Sequence, residues 1–254
     1  MRSLLESGEQ GETNASQSDV SDDGRYVVFV GGTDYGDGQT HRWGDVFVRD
    51  LRTGEAQCVS VSSSGEFGNG QSFPGAISGD GRHITFQSEA TNFDNRDENG
   101  VPDIFVHDRQ TRRTIRASTP LGGRRGGGGR YPRLSADGRH VLFLSRADDL
   151  VEGDTNNDED AFVFHVDTET VVRVSVDTQG RQGSAIDVCE LSGDGRYVLF
   201  QSPATNLIEG EEFDATLHLF RKDRLTGELI HISRSTGGEH ANDRSNLGGI
   251  TADG

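Results

Sequence analysis

Apolar residues fall in short runs of four to six along this chain, separated by Gly, Asp, Ser and Thr, and no long helical stripe occurs. Runs of that length bounded by turn formers predict strands. They recur in a fixed order. Residues 26–30, 83–87, 140–144 and 197–201 each follow an Asp-Gly-Arg triplet, and a long polar loop then leads to a second run at 45–48, 103–106 and 161–164. A short turn, Arg52-Thr53-Gly54 or Leu225-Thr226-Gly227, precedes a third run at 58–61, 114–117, 171–176 and 229–232. The segment just before the next triplet, such as 74–78, supplies a fourth strand. Asp-Gly between apolar runs marks a tight turn, because Gly accepts the positive φ that such turns need.

The triplet belongs to a longer motif, Ser-x-Asp-Gly-Arg, starting at Ser21, Ser78, Ser135 and Ser192, 57 residues apart each time. A fifth copy begins at Thr251-Ala252-Asp253-Gly254, where the sequence given stops. Four copies at one interval identify a repeat architecture. A four-stranded unit of this size fits a propeller blade better than the much shorter turn of a β-helix. The predicted fold is therefore all-β, one β-propeller array over residues 1–254. Its four-stranded antiparallel blades centre on 18–74, 75–131, 132–188 and 189–247, with an incomplete fifth from 248 in an open arc. Small residues before the turns, Gly75, Ala76 and Gly193, suit a crowded axis.

Acidic residues outnumber basic ones 42 to 25, giving a formal charge of -17, so a phosphate backbone would be repelled and nucleic acid is excluded as a partner. Two cysteines, Cys58 and Cys189, lie in different repeats and imply neither a disulfide framework nor a zinc site. Both read as buried strand residues. Residues 1–10 lack the apolar core of a signal peptide, and no run approaches the length of a membrane-spanning helix.

The run Ile77-Ser78-x-Asp80-Gly81-Arg82-x-x-x-Phe86, followed by Ser88-x-Ala90-Thr91-Asn92 and Asp103-x-Phe105-Val106, resembles TolB-like, WD-repeat-related propeller repeats of bacterial extracytoplasmic proteins. The resemblance covers nearly the whole chain and implies a fold, together with a periplasmic or extracellular setting, and no particular activity. Two departures stand out: Asp22, Gly79, Ala136, Gly193 and Ala252 replace the family's frequent Pro before Asp-Gly, and the period is longer than the common form.

Function is expected on loops held by the scaffold. In a meander the Asp-Gly-Arg and Thr-Gly turns share one face, which leaves the acidic loops and the Gly-rich loops 65–72 and 122–131 on the other. Two acidic loops share the spacing Asp-x-Asn-x-x-x-Asp: Asp97, Asn99 and Asp103, then Asp154, Asn156 and Asp160, with Asp158 between. Calcium takes about six to eight oxygen ligands, and alternate side chains of a tight loop can converge on one ion. The same residues also form turns by bonding to their own backbone, with no metal. Both readings stay open. The first repeat keeps Asp45 with Gln39 and His41, and the fourth offers Glu211, Glu212 and Asp214 around Phe213. His83 and His140 occupy the strand-start position of Tyr26 and Tyr197 and read as structural; the Arg of each triplet is expected to pair with a nearby acid. Arg124, Arg125 and Arg130 make a local basic spot, and Trp43 and Tyr131 offer stacking surfaces. The function expected is a non-enzymatic binding or scaffold propeller that contacts a protein, peptide or glycan through its long-loop face, with calcium as the candidate cofactor. The alternative is the propeller part of an enzyme, either a glycan hydrolase or lyase or a serine peptidase with its catalytic domain beyond Gly254.

Overall fold

The computed structural model describes residues 2–4, 10–14, 19–31, 44–123, 126–184, 187–210, 216–234, 237 and 249–254. A two-stranded sheet of β1 (Arg2–Leu4) and β2 (Gln10–Asn14), not foreseen from the apolar pattern, comes first. Four antiparallel four-stranded sheets follow. Blade 1 holds β3 (Asp19–Val20), β4 (Tyr26–Gly31), β5 (Asp45–Asp50) and β6 (Ala56–Cys58). Blade 2 holds β7 (Ser72–Ile77), β8 (His83–Ser88), β9 (Asp103–Asp108) and β10 (Arg113–Arg116). In blade 3 these are β11 (Arg130–Leu134), β12 (His140–Ser145), β13 (Asp160–His165) and β14 (Thr170–Arg173). In blade 4 they are β15 (Asp187–Leu191), β16 (Tyr197–Ser202), β17 (His218–Asp223) and β18 (Leu229–His231). The all-β propeller architecture is as predicted, and its sheets form an open array. One strand assignment changes: the segment before each Asp-Gly-Arg opens the blade that follows, because β7 pairs with β8 across the turn.

Each Ser-x-Asp-Gly-Arg turn is wired alike. Ser78 Oγ donates to Asp80 Oδ1 at 2.6 Å and accepts from His83 N at 2.9 Å, while Gly81 takes φ 73°. The arginine then reaches across to the end of the third strand of its sheet: Arg25 to Asp50 at 2.6 Å, Arg82 to Asp108 at 2.6 Å, Arg196 to Asp223 at 2.7 Å. Arg139 meets Asp167 at a looser 3.6 Å. Asp50, Asp108 and Asp223 are thus held ionised by their guanidinium partners, and the Asp50 carboxyl drops to about 2.

Blades meet through the same turns. A Cβ on Gly81 would lie 2.2 Å from the Tyr26 ring, on Gly138 2.5 Å from His83 and on Gly195 2.2 Å from His140, so each glycine receives the ring that begins the preceding blade's second strand. Backbone bonds run along this belt: Asp22 N to Gly79 O at 3.0 Å, Gly79 N to Ala136 O at 2.8 Å, Asp137 N to Gly193 O at 3.3 Å. Residues 251–254 continue it, with Asp194 N on Ala252 O at 3.3 Å and Gly254 against Tyr197. This is the position of a fifth blade's turn. Inside the sheets a phenylalanine pair repeats at directly opposed positions: Phe29 and Phe47, Phe86 and Phe105, Phe143 and Phe162, Phe200 and Phe220, stacked 5.6–5.9 Å apart. Such cross-strand aromatic pairs each contribute about 0.5–1.5 kcal/mol beyond area burial.

A further latch joins blades 1 and 2. The buried His107 bonds through Nδ1 to Thr114 Oγ1 at 2.9 Å, and that hydroxyl donates to Val61 O. Burial holds the imidazole down to about 4 from its ordinary 6.5. The unfolded chain therefore takes up a proton below pH 6.5 that the folded chain refuses until about pH 4, so this contribution to stability is intact above 6.5 and falls as pH drops through that window. Urea unfolding at pH 7 and pH 5 should show a loss of about 2 kcal/mol from this group. His107→Gln should remove that share of the difference, and an unchanged pH slope in the variant would contradict the assignment.

Candidate binding site

The innermost strands β3, β7, β11 and β15 are edge strands of their sheets and lie side by side along the axis. Three of them carry a one-residue bulge at matching places: β7 between Pro74 and Ile77, β11 between Arg130 and Arg133, β15 between Asp187 and Glu190. A bulge re-aims a side chain and ends regular pairing. In β11 it puts Tyr131 in the left-handed region at φ 56° with the residue 50% exposed. A tyrosine is costly there, and such strain concentrates at functional sites. Gly75 lets the neighbouring bulge close in, since a Cβ on it would lie 2.6 Å from Pro132.

These strands enclose a cavity of about 630 Å³. Phe73, Tyr131 and Pro132 give it apolar surface; Asp19, Arg133 and Glu190 give it charge of both signs. Arg133 Nε meets Glu190 Oε1 at 3.3 Å, and Asp19 Oδ2 accepts from Ile77 N at 3.0 Å, so one carboxylate of the chain already bonds the free edge of β7. The guanidinium of Arg130 lies 4.8 Å from the Tyr131 ring centroid and is gripped by the buried Glu159, Nε to Oε1 at 2.6 Å and Nη2 to Oε2. Tyr131 is thereby held out toward the cavity by a rigid partner. Sequence reading named Tyr131 and Arg130 but could not join them to this axial site, since no residue type announces a bulge.

The two acidic loops are built differently from a calcium site. In blade 2 the side chain of Arg116, 1% exposed, sits between Asp103 at 2.7 Å and Asp97 at 3.9 Å, and its Nη2 also donates to Gly126 O at 2.6 Å. In blade 3 Arg173 meets Asp154 at 3.0 Å and Asp160 at 3.8 Å. Asn99 and Asn156 turn their amide N–H groups toward Asp103 at 3.3 Å and Asp160 at 3.0 Å, and spend their Oδ1 atoms on Val101 N and Asp158 N. Asp158 itself is exposed. Ser118 Oγ donates to Asp103 Oδ1 and Ser175 Oγ to Asp160 Oδ1. As arranged, Asp97, Asn99, Asp103, Asp154, Asn156, Asp158 and Asp160 do not fit a calcium ion: the asparagines present donors, and a guanidinium fills the charge-neutralising position. Among the described residues no group of three or more acidic, His or Cys side chains converges as a metal would need. The turn-forming reading fits these loops. Burial pushes the Asp103 carboxyl up to about 6 against the pull of Arg116, and burial also raises Asp160 above the ordinary carboxylate value.

The backbone amides of Val46, Ile104, Ala161 and Leu219 each bond the hydroxyl of Ser60, Ser118, Ser175 or Ser233, which aligns the four blades. The Asp and Arg positions of blades 2 and 3 become Asp45 and Cys58 in blade 1, and His218 and His231, with ring centroids 5.0 Å apart, in blade 4. Cys58 is half-buried rather than buried, and Cys189 lies on β15. Gln39, His41, Trp43, Arg124, Arg125, Glu211, Glu212, Phe213 and Asp214 lie outside the described residues. Among the described residues no helix is long and apolar enough to cross a membrane.

No protein-family model matches the chain, and no curated protein matches it in sequence. Solved structures do match. A TolB from Agrobacterium tumefaciens superposes with a TM-score of 0.51 at 18% identity, over 89% of this chain and 69% of its own. TolB from Acinetobacter baumannii gives 0.49 at 17%, over 88% of this chain, and the β-propeller domain of the Trilobed protease from Pyrococcus furiosus gives 0.47 at 15%, over 86%. The chain spans 44% of the length of the Acinetobacter protein and 56% of the Pyrococcus domain structure. At these identities the likeness concerns fold alone. In fold, with its Asp-Gly-Arg turns, four-stranded blades and open array, the chain is a TolB-like β-propeller.

Proposed function

We propose that the chain is a non-enzymatic binding propeller that takes an extended peptide segment, free or part of a protein, in its axial cavity. The observation that carries this reading is Tyr131, held exposed in a left-handed bulge by Arg130 and Glu159 at the wall of that cavity. Edge strands offer backbone donors and acceptors at the spacing of another strand, and Ile77 N already takes a carboxylate oxygen from another blade. Pro74 and Pro132 each remove a donor, which limits the ladder to a short segment. A peptide suits this mixture of backbone edge, aromatic ring and paired charges better than a glycan, which has no strand periodicity to match. Calcium has no part in the reading. A periplasmic or extracellular site of action belongs to the proposal and rests on the resemblance to TolB-like repeats.

Selection of displayed random peptides against the chain tests it. Selected peptides should bind wild type, and Tyr131→Ala should weaken them about tenfold or more, the range of an aromatic anchor at an interface centre, with an unchanged unfolding midpoint. Peptides unaffected by Tyr131→Ala, or an array in which only glycans are retained, would refute the assignment.

A further inference from the structure

Beside the axial cavity, a second cleft of about 560 Å³ opens between blades 2 and 3 and shares Gln87 with it. Its floor is apolar, formed by Pro102, Leu144 and Ala147 with the glycine run 127–129. Two guanidiniums reach it, and they are not equivalent. Arg130 is neutralised by both carboxylate oxygens of Glu159. Arg146 is exposed and makes no ion pair or hydrogen bond among the described residues. Around the cleft Arg116, Arg130 and Arg133 all have carboxylate partners, so Arg146, over the apolar floor, is the guanidinium there that has none among the described residues. The buried Gly128, at φ 117°, lines the same cleft, and its N–H has no acceptor among the described residues. A guanidinium and a free backbone N–H are the donors that carboxylate capture uses.

We propose that this cleft is a carboxylate pocket, in which Arg146 receives the acidic group of the bound peptide while the apolar floor takes the neighbouring side chain. The proposal rests on the peptide-binding reading above and names the ligand's chemistry. The carboxylate comes from either an Asp or Glu side chain or a free C-terminus. Acids free in solution are drawn by one charge only, whereas a peptide anchored at Tyr131 presents its carboxylate at high local concentration.

Three pools of fluorescent octapeptides, measured by anisotropy, separate the cases: amidated peptides containing Asp or Glu, free-acid peptides without Asp or Glu, and amidated peptides without either. At least one carboxylate-bearing pool should bind about tenfold tighter than the third, as a charge-assisted hydrogen bond gives, and which pool does so identifies the source. Arg146→Ala should abolish that preference without moving the unfolding midpoint, Arg146→Lys should keep part of it, and Arg146→Glu should reverse it. If all pools bind alike and Tyr131→Ala weakens each, the peptide-binding reading stands and the carboxylate pocket is wrong. A preference that survives Arg146→Ala overturns it equally. If no pool binds wild type, both fall together.

Discussion

Arg116→Ala should cost about 3–5 kcal/mol of stability at pH 7, the range for breaking a buried ion pair from one side. Asp103 is fully buried and Asp97 nearly so; without the guanidinium they face one another as like charges in a desolvated site. The loss should shrink toward pH 5. Asp103 already has its carboxyl pushed up to about 6 by burial, and removal of Arg116 raises it further, so the variant escapes much of the penalty by taking up a proton. Removing the guanidinium leaves the carboxylates of Asp97 and Asp103 without their counter-charge, which makes the variant loop a better calcium site than the wild-type one. Millimolar calcium should therefore raise the midpoint of Arg116→Ala and leave the wild type unmoved. A loss below about 1 kcal/mol, the surface-pair range, or a calcium-responsive wild type, would show that the guanidinium is not the resident cation of the loop.

The second large effect is expected at the belt of turns. Gly195→Ala places a methyl 2.2 Å from the His140 ring at a residue whose φ is 71°. Left-handed strain of about 1–2 kcal/mol adds to overpacking of about 1–3 kcal/mol. A total of about 2–5 kcal/mol should result. Gly24→Ala is the control: its φ is 70°, in the same motif, yet nothing lies within 4 Å of the added carbon. That variant should lose only the strain component. Equal losses at Gly24 and Gly195 would mean that the glycines serve the turn alone, and that ring packing between blades contributes nothing.

The contrast between these two glycines shows what the sequence could reveal. The 57-residue interval was readable because every blade needs a positive φ in the same turn and an arginine to close it on an acid such as Asp108. The ring on the far side of each glycine was visible only as an unexplained Tyr or His at a strand start. Arg116 and Arg173 stand at the same 57-residue interval, each two places before a serine, so the resident cation of the acidic loops was present in the pattern. Its role is not legible because the loop acids are close in sequence, whereas the arginine comes from the neighbouring strand of the same sheet, β10 beside β9 and β14 beside β13. Tyr131 was legible as an aromatic and invisible as a site: its exposure follows from a bulge, which depends on the register between two strands and not on any local residue type. The pair β1 and β2 lies before the first motif and carries no repeat signal at all.

Hydrogen–deuterium exchange of the chain with and without a display-selected peptide tests the central claim most directly. Peptide binding along the axis should slow exchange in the inner strands, at 72–77 and 130–134 above all, and leave the outer strands β6, β10, β14 and β18 unchanged. Slowed exchange confined to those outer strands, or to the Asp-Gly-Arg turns, would place the ligand elsewhere and contradict an axial binding site.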